Sequence, residues 1–155
     1  MQETFIIGNT EYTAMKLNAF DANKLLLRLN KIVLPVIGGL TKGNQGKDVN
    51  LLDMDLSEAT GIIAENLTEE VMDTIVFPMF AGSKVYSVEK KLFIKDGASI
   101  NQVFTTDNLF DLYELVWDVL KFNFSGFFGQ VAARFGRLTE ASASQKKTSA
   151  SSAKS

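Results

Sequence analysis

The most sustained helical periodicity in the chain lies between Thr106 and Leu138. Phe110, Tyr113, Trp117, Leu120, Phe124, Phe128, Val131 and Phe135 recur every three or four residues, and Leu109, Leu112, Val116 and Val119 form a second stripe beside them. The apolar face is therefore wide. Asp107, Asp111, Glu114, Asp118, Lys121 and Ser125 keep the same spacing on the opposite side. The two patterns together predict a helix over 106–124 with a solvated acidic face, capped by Thr106 or Asp107. Ser125-Gly126-Phe127-Phe128-Gly129 predicts a kink or a hinged second helix, since each Gly costs about 1 kcal/mol relative to Ala inside a helix. Arg134 and Arg137 then suit the carbonyl end of a last turn.

Upstream, Thr4–Ile7 and Tyr12–Leu17 around Gly8-Asn9-Thr10 predict a β-hairpin, because Gly-Asn favours a two-residue loop. Asn18 or Asp21 starts a helix through about Leu34, with Leu25, Leu29, Ile32 and Val36 on one face, and Pro35 bends or ends it. Lys24, Arg28 and Lys31 line its other side, extended by Lys16. That stripe is either an ordinary solvated face or a secondary docking site for an acidic partner.

Gly38-Gly39 and 41–48 predict a flexible loop. Asp55 or Ser57 begins a further helix, and Thr68 another, whose last turn Pro78 disturbs. Met72 and Met79 read as core fillers. Val85–Val88 and Leu92–Lys95 predict a second small hairpin, Asp96-Gly97 a turn, and Ile100–Phe104 a single helical turn. Beyond Leu138 no aliphatic residue larger than Ala occurs, so 139–155 reads as a disordered Ser/Ala/Lys tail. The expected architecture is one α+β domain over 1–138, predominantly α-helical.

Composition narrows the chemistry. The chain has no His and no Cys among its 155 residues, so the usual neutral-pH base, the commonest transition-metal ligand and any thiolate are missing. Gly39 and Gly46-Lys47 are too far apart for a phosphate-binding loop, and Asp48 stands where Ser or Thr is needed. No calcium-binding loop accompanies the acidic helix face. No enzyme, metal or cofactor is expected. A net charge of −2 gives no general reason to bind nucleic acid. Asp118, Lys121, Asn123, Gln130 and Arg134 interrupt any membrane-spanning window. The opening MQETFIIGNTEY has no basic region followed by a long apolar run, so no secretory signal is expected and an intracellular protein is.

Large aromatics usually build cores, and Tyr113, Trp117 and Leu120 are assigned to one. For the late cluster, core and partner contact both stand. Phe122, Phe124, Phe127, Phe128 and Phe135 spread too widely round a helix for one small layer to bury them all, and surplus apolar surface normally meets a partner or another copy of the chain.

Three segments resemble the tail assembly chaperones of long-tailed phages: ETFIIGNTEYTAMKLNAFDANKLLLRLNKIVLP, LTEEVMDTIVFPMF with the hairpin after it, and NLFDLYELVWDVLKFNFSGFFG. The resemblance covers roughly residues 3–136 and is one of packing residues, not of a catalytic motif. It implies a small non-enzymatic chaperone that coats the tape measure protein, keeps it soluble and helps recruit tail tube protein around it. Such a protein works in the host cytoplasm and is absent from the mature virion. The alternative is a structural tail or baseplate subunit that stays in the particle.

Overall fold

The computed structural model describes residues 2–44, 55–127 and 130, with backbone alone over 32–44. Strands β1 (Gln2–Ile7) and β2 (Thr10–Met15) pair antiparallel, with Phe5 opposite Tyr12. Gly8 and Asn9 hold φ of 55° and 69°, the pair of left-handed conformations that a twisted two-residue hairpin loop requires. Strands β3 (Tyr86–Ser87) and β4 (Leu92–Phe93) complete a four-stranded sheet in the order β1-β2-β3-β4, a shorter second hairpin than the pattern predicts. Alternation puts Ile7, Tyr12, Ala14 and Ser87 on the buried face. Ile6, Thr13, Tyr86 and Phe93 lie on the other.

Local capping chemistry starts the helices. Helix α1 (Ala19–Asn44) opens at Asn18, whose Oδ1 accepts the Asp21 N–H at 2.8 Å. It runs on through Pro35 and Gly38-Gly39. Of the two outcomes expected at Pro35, a bend or an end, the helix does not end there, and no loop is found over 38–44; residues 45–48 of that loop lie outside the described residues. A proline removes one helical hydrogen bond and bends the rod, while the turns on either side keep theirs. Helix α2 (Leu56–Asn66) is capped by Asp55, which accepts from the Glu58 N–H at 2.7 Å.

Thr68 caps a helix, α3, made of an α-turn Glu69–Val71, a π-helical stretch Met72–Val76 and an α-segment Phe77–Gly82. Pro78 has no N–H for the carbonyl of Thr74, four residues earlier. Arg28 Nη1, from α1, donates to that oxygen at 2.7 Å. The proline's disturbance thus falls in the middle of α3, not in its last turn. Asp96-Gly97, predicted as a turn, is the start of a helix. Asp96 and Ser99 cap each other's backbone to open α4 (Gly97–Val103). The Ser99 N–H first, and then the Ser99 hydroxyl, both donating to Asp96 Oδ1, hold the exposed Asp96 carboxyl below its ordinary pKa.

A 3-10 turn, Thr106–Asn108, capped by Thr105, leads into α5, residues 109–127. The helix continues through Ser125-Gly126, where a break was expected; residues 128–129 lie outside the described residues. A single helical glycine lowers stability without forbidding the helix. The chain divides into two compact units, Met1–Asn123 and Phe124–Ser155. The predicted tail over 139–155 lies outside the described residues.

Within the first unit, α5 runs along the buried face of the β1–β2 hairpin from its tip to its base. At the tip, a Cβ built on Gly8 would come within 2.7 Å of Asp111 Oδ2. Near the base, Phe122 meets Phe5 edge-on with ring centroids 5.8 Å apart. The buried face of α5 consists of Leu112, Leu115, Val116, Trp117, Val119 and Phe122. Leu112, Val116 and Val119 come from the second of the two predicted stripes and Trp117 from the first, while Leu109 of the second stripe is exposed. Trp117 is core as expected, but Tyr113 and Leu120 are only half-buried and Phe110 is exposed. Tyr12 stacks on Phe104 at 6.0 Å, and its hydroxyl pKa is pushed up to about 12, first by burial and then by the Asp111 carboxylate.

The hairpin base, the end of α3 and α5 meet at one polar junction. Asn123 Oδ1 accepts the Leu17 N–H at 2.8 Å, and Asn123 Nδ2 donates to the Ser83 Oγ at 2.8 Å. Ser83 is fully buried, and its carbonyl accepts the Met15 N–H at 2.7 Å. Gly82 lets the chain come this close, since a Cβ there would lie 2.5 Å from Leu17 Cδ2. Removing Asn123 strands a backbone N–H and a buried hydroxyl together. Asn123→Ala is therefore expected to lose about 2 kcal/mol in urea unfolding, whereas Asn18→Ala, at an exposed cap, loses about half that.

Candidate partner-binding surface

The late aromatic cluster divides by burial. Phe122 is 8% exposed and Phe124 2%, whereas Phe127 is 43% exposed. Phe122 packs on Phe5 and carries the Lys16 ammonium 5.3 Å from its ring centre, so its faces are occupied within the domain. Phe128 and Phe135 lie outside the described residues. Of the three described rings, only that of Phe127 is presented at the surface.

Helix α1 offers a more continuous surface. Leu25 and Leu29 are buried, and the helix packs on α3. Phe20 and Leu27 are exposed on the outer side together with Lys24 and Lys31. Spacings of four, three and four place Phe20, Lys24, Leu27 and Lys31 on one helical face. The Lys24 ammonium lies 4.6 Å from the centre of the Phe20 ring.

The basic stripe read from sequence is present, with two large apolar side chains set into it that the sequence reasoning passed over. Their signal was available: Leu27 falls between Lys24 and Lys31, in register with the lysines and out of register with Leu25 and Leu29. Arg28 belongs to the stripe by position, but its guanidinium is engaged with Thr74. Arg28→Ala is expected to cost about 1 kcal/mol of folding stability by thermal unfolding, below the usual range for a charged donor because the site is exposed.

The acidic face of α5 is less solvated than its sequence implies. Burial pushes the Glu114 and Asp118 pKa values up; Asp118 and Asp111 push Glu114 further, and Lys121, 3.6 Å from Asp118, only partly offsets the cost for Asp118. A carboxyl whose pKa is raised by folding favours the fold while protonated. That contribution is complete below the ordinary values of 3.8 for Asp118 and 4.5 for Glu114, and is lost as pH rises through the raised values. At neutral pH both charges thus weaken the fold. Asp118→Asn is expected to melt above wild type at pH 7, with the difference closing on acidification towards pH 4, as differential scanning calorimetry can follow.

Among the described residues no helix is long and apolar enough to cross a membrane, and no group of three or more acidic side chains is placed to hold a metal ion. What the described surface presents is apolar side chains set among charges on helix faces. The chain belongs to the family described as phage tail assembly chaperone protein, TAC, whose model matches residues 8–136. Such chaperones are generally non-enzymatic. Comparison with curated proteins and with solved structures gives no match.

Proposed function

We propose that this chaperone binds the phage tape measure protein, keeps it soluble and promotes assembly of the tail tube around it. It does so in the host cytoplasm, without catalysing a reaction, and leaves before the virion is complete. Tail tube protein is a further partner. The observation that carries the site is the exposed pair Phe20 and Leu27, bordered by Lys24 and Lys31 on one face of α1. A long, helix-rich client that exposes apolar stripes bordered by carboxylates fits such a face, with Phe20 and Leu27 as apolar contacts and the lysines setting orientation. Phe127 adds a second apolar contact.

Co-expression with the tape measure protein of the same phage tests this reading. The wild-type chain is expected to hold the client in a soluble complex. Phe20→Asp/Leu27→Asp, altered only at exposed positions, should fold normally and lose at least tenfold in affinity, in line with about 1.5–3 kcal/mol for each large apolar side chain that leaves a buried contact. A client that stays insoluble beside wild-type chain, with the chain recovered in purified particles, would instead make it a structural tail or baseplate subunit.

A further inference from the structure

The two edges of the sheet are built differently. Strand β4 is two residues long and lies between Lys91 and Lys95, the short, charged form in which an edge resists pairing with another chain. Strand β1 is six residues long, pairs with β2 without a bulge, and contains neither Pro nor Lys. Among the described residues no strand pairs with its outer side. The register fixes which backbone groups are left over there. The Glu11 carbonyl accepts the Val88 N–H at 3.1 Å and the Met15 N–H donates to the Ser83 carbonyl at 2.7 Å, so the odd-numbered residues of β2 turn their backbone groups away from β1. Thr10, Tyr12 and Ala14 therefore bond to Ile7, Phe5 and Glu3, and the N–H and C=O groups of Gln2, Thr4 and Ile6 point outward from the sheet.

The side chains beside that edge divide by face. On the open face Gln2, Thr4 and Ile6 are exposed, Ile6 to 75%. On the α5 side stand Glu3, exposed, and Phe5, half-buried against Phe122. Carboxylates line this side. Asp111 lies against Gly8 at one end of β1. Asp118 is near Glu3 at the other: burial raises its pKa first, Lys121 opposes the rise, and the Glu3 carboxylate adds to it. Glu114 falls between Asp111 and Asp118 on the same helix face. Lys121, 3.6 Å from Asp118, and Lys16, over the Phe122 ring, answer only part of this charge. We propose that the free edge of β1 takes up an extended segment of another protein as an antiparallel fifth strand, with basic side chains towards α5 alternating with apolar side chains towards Ile6. Backbone hydrogen bonds to Gln2, Thr4 and Ile6 hold the segment, and Glu3 and Asp118 select Lys or Arg on its inner side. An acidic segment would meet like charge, and the β1 strand of a second copy would bring another Glu3 to the same side. The edge does not include the α1 face assigned to the client, so either reading can fail without the other.

Fluorescence anisotropy of a short labelled peptide of alternating Val and Lys, blocked at both ends and titrated with the full-length chain, tests it. Wild type is expected to bind this peptide at least tenfold more tightly than the same peptide with Glu in place of Lys. It should show the same margin over a peptide N-methylated at each Val, which keeps every charge but cannot complete the strand pairing. Thr4→Pro removes an outward N–H at an edge position, where proline is compatible with a strand, and should lose at least tenfold in affinity with wild-type circular dichroism. Glu3→Lys should turn the preference towards the Glu peptide. Should Thr4→Pro fail to fold, the N-methylated peptide decides the question on wild type. Equal binding of that peptide would leave charge attraction alone, and no binding of the Val/Lys peptide would mean a closed edge. A sedimentation coefficient lowered by Thr4→Pro would give the edge to a second copy. Each of these three results overturns the proposal.

Discussion

The side chain of Asn123 joins segments that are far apart in sequence, and the arrangement of the first unit depends on it. One amide satisfies the Leu17 N–H at the base of the hairpin and the Ser83 hydroxyl at the end of α3. A polar junction of this kind contributes modest net stability when complete and is costly when half-made, because desolvated donors and acceptors then go unpaired. Its value is in register. With Leu17 held there, and Gly8 against Asp111 at the other end, α5 lies along the hairpin in one orientation. Apolar contacts alone are non-directional and would tolerate sliding.

That orientation decides which side chains are left for partners. Burying Leu112, Val116 and Val119 in the core, with Phe122 against Phe5 of the hairpin, leaves Phe110 outward. It also brings Glu114 and Asp118 close enough to the core for burial to oppose their charge. The first unit therefore holds an acidic helix face at some cost in stability, next to an exposed aromatic pair. A surface maintained against the fold's own preference is where interaction chemistry is commonly found.

The proposed function requires a client to be held and later released. The α1 face suits that: Phe20 and Leu27 supply apolar area while Lys24 and Lys31 keep the face hydrated when it is empty. Arg28 shows how position and role part company in such a stripe. It lies among the basic residues, yet its guanidinium donates to the Thr74 carbonyl that Pro78 cannot serve, and so it ties α1 to the π-helical stretch of α3.

Local chemistry was legible wherever a few adjacent residues carry the whole cause. Gly8-Asn9 makes its turn through backbone conformations few other residues reach. Asp55 and Thr68 start helices because a side-chain oxygen three residues upstream meets an orphan N–H. The α-rich α+β class, the position of α5, the core role of Trp117 and the resemblance to tail assembly chaperones follow from the same kind of signal. Tertiary structure decided the remainder. Pro35 does not end α1, and Pro78 yields a π-helical stretch served by an arginine 46 residues away in sequence. Asp96-Gly97 opens a helix, because Ser99 returns the cap. Whether Phe110, Phe122 or Phe124 faces solvent was likewise beyond periodicity, which shows that a helix has an apolar side but not which part of a wide one its neighbours will cover.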